Sequence, residues 1–314
     1  MPRRRRHRGR PHLSRRISSA AVSRTSLAAL ALAFAALLFG ASFVVVKDAV
    51  ATLPPVGFVG WRFAVGAAVL LAISPPRQRT TIVTGVRAGL LLFTGYALQT
   101  RGLVDTTASN SGLVTGLYVV LTPLLAAGFA RRRPHGLVML GAAVAFVGLA
   151  VLTVTAGFRL HGGDLWTIGG AIAYAGHILY LSRVAHRLPV IAFTGVQLAV
   201  TAVLGLAVSA VFEGLSLPDS DSLIAVIGTG VVVSAGAFLI QVWSQTILGP
   251  SRTALILSLE PAFAALTGAV VLGERLGWRG LGGGALILTG IYVVLAGTGP
   301  EDDLPAAEAI SAAH

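Results

Sequence analysis

Ten long apolar stretches follow one another along this chain, separated only by short turns. They cover residues 25–47, 56–73, 83–100, 108–130, 136–155, 164–182, 189–212, 222–246, 252–271 and 278–297. A helix that crosses a bilayer needs about 20 mostly apolar residues, and each stretch meets or approaches that length. With 55% hydrophobic and 11% charged residues, no water-soluble core is large enough to hide them. No connecting segment is long enough for a soluble domain. The expectation is an all-α membrane protein of ten transmembrane helices that does its work inside the lipid bilayer.

The net charge is +12, from 24 basic and 12 acidic residues. Its placement speaks for topology rather than for nucleic acid, because positive residues gather on cytoplasmic loops. With the N-terminus inside, ten spans bring the C-terminus back inside. Eighteen basic residues then lie inside: nine Arg within residues 3–24, and Arg77, Arg79, Arg87, Arg131, Arg132, Arg133, Arg183, Arg187 and Arg252. Six fall toward the outside: Lys47, Arg62, Arg101, Arg159, Arg275 and Arg279. The acids Asp48, Asp105, Asp164, Glu213, Asp219, Asp221 and Glu274 all sit at outside turns. The expected location is a bacterial inner (cytoplasmic) membrane, multi-pass, with both termini cytoplasmic. Residues 1–24 form a basic tail and 298–314 a short acidic one. The Arg-rich head reads as a topology anchor, a lipid-binding segment or a nucleic-acid arm. The apolar run after it is too long for a cleavable signal peptide.

Cysteine is absent, which excludes disulfides and thiol chemistry. His-Glu-x-x-His, P-loop and Gly-x-Ser-x-Gly patterns are absent too, so no enzyme, cofactor or metal is expected.

The chain falls into two similar halves, residues 25–155 and 164–297. Thr122-Pro123-Leu124-Leu125-Ala126-Ala127 of the fourth stretch matches Glu260-Pro261-Ala262-Phe263-Ala264-Ala265 of the ninth. A Gln-bearing stretch precedes each, with Gln99 in the third and Gln241 and Gln245 in the eighth. Five spans per half is an odd number, so the second half enters the membrane upside down. Inverted repeats with a substrate site near the midplane are the usual construction of secondary transporters.

These residues resemble a family. The run from Gly102 to Val120, with Asp105-Thr106-Thr107-Ala108-Ser109-Asn110, is similar to the third-to-fourth helix signature of EamA-type members of the drug/metabolite transporter superfamily. The run from Ala254 to Leu266, then Leu272-Gly273-Glu274-Arg275-Leu276, resembles the matching signature of the second half. Pro54-Pro55 with Trp61-Arg62-Phe63 resembles the start of the second helix. The resemblance implies two inverted five-helix EamA-type repeats and export of a small molecule. Members carry amino acids, nucleosides, sugars or drugs, so it implies no single substrate. The first half carries Thr122 where the second has Glu260, so any role of Glu260 is not mirrored.

Polar residues at i, i+3, i+4 and i+7 share a helix face. Ser111, Thr115, Tyr118 and Thr122 form one such line, and Ser234, Phe238, Gln241 and Gln245 another. Tyr96 and Gln99, and Thr167, Tyr174 and His177, add further polar groups. Facing lipid, each would go unsatisfied at several kcal/mol, so these lines point inward, as cavity lining or as interhelical bonds. The candidate substrate-binding residues are Gln99, Tyr118, Tyr96, Thr115, Gln241, Trp243, Gln245 and His177. Thr194, Gln197 and Thr201 read as packing. Glu260, deep in the ninth stretch, either couples transport by binding a proton or a cationic group, or accepts hydrogen bonds around a proline-disturbed turn. Arg62 serves as a gate or snorkels as an interface anchor. Glycine pairs at i, i+4 (Gly85 and Gly89, Gly112 and Gly116, Gly280 and Gly284) suit close helix packing.

The function expected is a secondary transporter, monomeric or dimeric, moving a small metabolite, amino acid or drug by alternating access. Two alternatives remain. A lipid or lipid-linked sugar flippase needs a lateral groove. An intramembrane enzyme needs paired catalytic groups, for which Glu260 and His177 are the only candidates.

Overall fold

The computed structural model describes residues 12–49, 53–105, 108–154, 161–271 and 277–297. Thr106 and Thr107, Arg159, the run 272–276, the start of the basic head and the acidic tail 298–314 lie outside the described residues.

Among the described residues the secondary structure is helical, with thirteen α-helices. They are α1 (His12–Ala49), α2 (Pro55–Ile73), α3 (Arg79–Val104), α4 (Ala108–Thr115), α5 (Tyr118–Ala130), α6 (Gly136–Thr153), α7 (Gly162–Val184), α8 (Val190–Phe212), α9 (Ser220–Thr229), α10 (Phe238–Gln245), α11 (Pro250–Leu257), α12 (Glu260–Val271) and α13 (Trp278–Gly297). A 3-10 turn (Ala185–Arg187) follows α7, and a π-helical segment (Gly230–Ala237) joins α9 to α10.

Eight helical stretches are long and apolar enough to cross a membrane: Arg24–Ser42, Pro55–Ile73, Arg79–Gly102, Ser111–Ala130, Val190–Phe212, Ser222–Gln245, Pro250–Val271 and Trp278–Gly297. Gly136–Leu152 is apolar but shorter. Helix α7 has 23 residues, with Asp164, His177 and Arg183 diluting its apolar character. Large apolar side chains face outward all round, among them Leu30, Phe129, Phe212, Ile224 and Trp278. Water would not tolerate that surface, whereas a lipid environment matches it.

Helix starts and stops follow local chemistry. Pro55 and Pro250 occupy the first turns of α2 and α11, where a missing N–H costs nothing. The Asp164 carboxylate accepts from His161 N at 2.7 Å, and Asp219 Oδ1 accepts from Ser222 N at 2.9 Å. Two of the acids expected at outside turns are thus helix caps. Arg131 and Gly214 take the left-handed conformation, with φ 51° and 76°, and end α5 and α8. Two apolar rods are broken inside: α4 from α5 at Gly116-Leu117, and α11 from α12 at Ser258-Leu259. Pro123 and Pro261 lie just beyond these breaks and withhold an N–H from the helical ladder.

The helices pack in pairs: α6 with α13, α2 with α8, α3 with α7 and α8, and α1 with α12. The α6–α13 crossing is made of glycine. A Cβ at Gly148 would lie 2.7 Å from Gly283 O and 2.8 Å from Ile287 N, and one at Gly283 would lie 2.7 Å from Gly148 O. Gly141 and Gly290 meet in the same reciprocal way two turns along. This corrects the expected glycine pairs in part. Gly85 and Gly89 do meet α8, at Val196 and Val200. Gly112 and Gly284 face open space, and the tight crossing uses a seven-residue spacing instead.

The N-terminus of α2 has no side-chain cap from its own Pro54. Glu213, just past α8, takes that place. Its Oε2 accepts from Val56 N at 3.1 Å and from Gly57 N at 3.2 Å. Trp61 Nε1 donates to Ser216 O at 3.1 Å beside it. A carboxylate on a helix N-terminus satisfies free N–H groups and complements the dipole. Glu213→Ala is therefore expected to cost about 1 kcal/mol, read as a lower melting temperature of the purified protein. An unchanged melt would mean the contact carries no stability.

Candidate functional site

The break between α11 and α12 makes Glu260 the first residue of α12, deep within the Pro250–Val271 stretch. Helix α1 presses on this point: a Cβ at Gly40 would come 2.5 Å from Glu260 O and 2.8 Å from Ala264 N. Only a glycine lets the two backbones meet there. The Glu260 side chain is partly accessible. Arg62 of α2 lies within its electrostatic reach but beyond ion-pair distance.

Three phenols from three helices stand within the same reach of Glu260: Tyr96 of α3, Tyr118 at the start of α5 and Tyr174 of α7. The Arg62 guanidinium lies beside Tyr96 and 5.3 Å from the centre of the Phe63 ring. Arg62 is only 5% exposed, and its Nε has no hydrogen-bond partner. The structure thus buries the side chain for which snorkelling was one expectation.

Aromatic rings continue the wall. Tyr174 and Tyr96 meet edge to face at 5.7 Å, Tyr96 and Phe63 at 5.3 Å, and Phe39 and Phe238 at 5.0 Å. Phe63 and Phe238 close the chain at 5.5 Å. Gln99 is held from both ends, its Nε2 donating to Thr115 Oγ1 and its Oε1 accepting from the Tyr174 hydroxyl, each at 3.0 Å. Tyr96, Tyr118, Tyr174 and Trp243 pack against the core yet remain partly accessible. Each of these four side chains touches the core and keeps part of its surface uncovered.

The expected site residues therefore separate. Tyr96, Gln99, Thr115, Tyr118 and Glu260 come together with Arg62, and Trp243 is partly accessible on α10. Gln241, Gln245 and His177 are buried in helix contacts. Gln245 Nε2 donates to Ile178 O at 2.9 Å and Ser182 Oγ at 3.0 Å, and Gln241 Nε2 points to Gln245 Oε1 at 3.5 Å. His177 Nε2 bonds Gln197 Oε1 at 2.9 Å. Thr194, Gln197 and Thr201 are fully buried, and Thr201 Oγ1 donates to Gln197 O at 3.0 Å.

Sequence reasoning left Tyr174 out of the site although it lies one turn before His177. The signal was Gly95, whose missing side chain makes room for the Tyr174 ring. The π segment was not foreseen. It packs Ser234 on Gly66 of α2 and shifts the phase of everything after it.

A bundle of apolar helices, eight of them long and apolar enough to cross a bilayer, defines a multi-pass membrane protein. Comparison with known proteins agrees. The EamA-like transporter family matches residues 26–154 and again 161–296, and the chain belongs to that family. An uncharacterized transporter of Archaeoglobus fulgidus is 31% identical over 261 residues, 81% of each chain. The uncharacterized transporter YyaM of Bacillus subtilis is 29% identical over 244 residues, 71% of this chain and 78% of that one. A probable terminal-alkyne amino-acid exporter of Streptantibioticus cattleyicolor is 25% identical over 235 residues, 73% of this chain and 77% of the relative. A crystal structure with a TM-score of 0.70 covers 85% of this chain and 96% of its own, at 23% identity, and shares the fold.

Proposed function

We propose that the chain is a secondary transporter that moves a small metabolite, amino acid or drug across the cytoplasmic membrane by alternating access. It works outward, as the relative from Streptantibioticus cattleyicolor is named to do. The observation that carries this reading is the broken pair of spans. Tyr118 and Glu260 each begin the helix that follows a break, and the two lie within electrostatic reach of each other. Discontinuous helices at mid-membrane are where such carriers bind substrate and coupling ions. Tyr96, Gln99, Thr115, Tyr118 and Trp243 line an internal gap. Gln241, Gln245 and His177 hold α7, α8 and α10 together behind it. Glu260 is the proton-coupling group, with Arg62, Tyr96, Tyr118 and Tyr174 as its charged and titratable neighbours.

Two inverted five-helix repeats are part of the proposal. Adding α6 and α7 to the eight long apolar stretches makes ten spans. Helix contacts are consistent with exchange of the halves. The α2–α8 and α6–α13 pairs map onto themselves, α3–α7 onto the contact of α10 with α1, and α3–α8 onto that of the π segment with α2. The distribution of basic residues supports an orientation with both termini in the cytoplasm.

Single cysteines, in a chain that has none, test the gap and the orientation together. Cysteine at Gln99 or Tyr118 is expected to react with a small polar maleimide, and at the lipid-facing Val147 it is not. A cysteine replacing His314 is expected to stay unlabelled by an impermeant maleimide in intact cells. Equal labelling at Tyr118 and Val147 would remove the gap, and external labelling of the tail would reverse the topology.

A further inference from the structure

Each end of α7 has an arginine over an aromatic ring, and the two pairs differ in one respect. At its start, Arg101 of α3 lies 5.9 Å from the centre of the Trp166 ring, and Asp105 closes on the same guanidinium at 2.7 Å. At its end, Arg183 lies 4.6 Å from the centre of the Phe129 ring of α5. Here the protein supplies no anion. Among the described residues no carboxylate lies within ion-pair distance of Arg183, or of Arg131, Arg132 and Arg133 in the turn after α5.

Two further observations mark this end. Phe129 is 64% exposed, one residue from the close of a stretch apolar enough to cross a bilayer. Its ring therefore meets lipid at the rim of the hydrocarbon layer, with a guanidinium beside it at headgroup level. Arg131 takes the left-handed conformation, φ 51°, in the turn that closes α5, a place that glycine usually fills. An arginine there is strained, in a chain that holds 38 glycines. The turn is pinned by its backbone: Arg131 N donates to Gly128 O at 3.1 Å and Arg132 N to Ala127 O at 3.0 Å.

We propose that the ends of α5 and α7 bind the phosphate headgroup of an anionic phospholipid. Arg183, Arg131 and Arg132 supply the positive charge, and the exposed ring of Phe129 takes the upper part of an acyl chain. The occupant follows from this mixture. A soluble anion has no use for a ring at the hydrocarbon rim. A zwitterionic lipid brings a cation to a turn that already holds three. The site needs only that the chain lies in a bilayer, so it is independent of the transporter reading.

The test uses the purified full chain in detergent and counts bound lipid by native mass spectrometry. The probes are phosphatidylglycerol and phosphatidylcholine with the same acyl chains, and inorganic phosphate as a competitor. Phosphatidylglycerol is expected to bind at least about fivefold tighter than phosphatidylcholine, the effect of one arginine near a headgroup. Phosphate at equal concentration is expected not to displace it. Arg183→Gln is expected to weaken phosphatidylglycerol binding about fivefold. Arg131→Gly is expected to do the same while melting no lower than the native protein, because glycine suits the turn. A merely structural arginine would give no such split, and this variant serves if Arg183→Gln does not accumulate. Arg77→Gln, at an exposed arginine between α2 and α3, is expected to change nothing. Equal losses in Arg77→Gln and Arg183→Gln would reduce the effect to diffuse surface charge and overturn the proposal. So would equal binding of the two lipids, or displacement by phosphate. The acidic tail is the rival occupant, and neutralising Glu301, Asp302 and Asp303 together is expected to leave lipid binding as it was. Phosphatidylglycerol bound by that variant alone gives the site to the tail and overturns the lipid assignment.

Discussion

Replacing Glu260 by Gln is expected to cut transport by at least about tenfold and to abolish its response to a pH gradient, with the protein still folded. A side chain that takes up and releases a proton in each cycle contributes on the order of 10²-fold or more when it acts as the acid or base, so a tenfold loss is a low threshold. Folding should tolerate the change. The carboxylate makes no ion pair, and Gln keeps its size and its reach. What is lost is the favourable charge in the first turn of α12, worth about 0.3–1 kcal/mol. The two measurements belong on one preparation: melting temperature in detergent, and substrate-driven proton flux in proteoliposomes. Wild-type flux with an intact pH response would leave Glu260 a structural residue at the Pro261 turn. A collapsed melting temperature would do the same.

The second large effect concerns the α6–α13 seam. Gly148→Leu is expected to destabilise the protein by about 3 kcal/mol or to prevent its accumulation, the upper end for forcing bulk into a packed contact. Even a methyl at Gly148 would fall 2.7 Å from Gly283 O. The obstacle is backbone, which cannot rotate aside as a side chain can. Gly112→Leu serves as the control, because nothing lies within 4 Å of a Cβ there. Fluorescence-detected size exclusion and thermal melting of both variants decide the matter. Equal behaviour of the two would mean that the seam is loose in the membrane.

Much was legible because hydrophobicity and charge act locally along the chain. A stretch that must cross lipid has to be apolar over its length, and its flanking arginines face a membrane potential and a translocation machinery that read sequence. Glu260 stood out for the same reason: a carboxylate amid Leu257, Leu259, Ala262 and Phe263 has few explanations at that depth. Which polar residues would share a site was less legible. Gln99 and Gln245 are the same residue type, and both lie on stretches apolar enough to cross a membrane. One bridges Thr115 and Tyr174 and stays partly accessible, and the other is sunk against Ile178 and Ser182. Helical phase could not separate them, because the π segment before Gln245 turns α10 away from the phase a regular helix would give.

The sequence by itself determined that the chain suits a membrane, that it carries stretches apolar enough to cross one, and that the same family pattern occurs in each half with the mid-stretch carboxylate in one only. Those properties follow from side-chain solvation, which each segment carries with it. Only the tertiary structure decided that Arg62 lies buried near Glu260, that three tyrosines from three helices gather around them, and that the tight seam runs through Gly141, Gly148, Gly283 and Gly290. Those are distances between residues far apart in the chain. They depend on how small residues let backbones approach, and no local pattern of polarity encodes that.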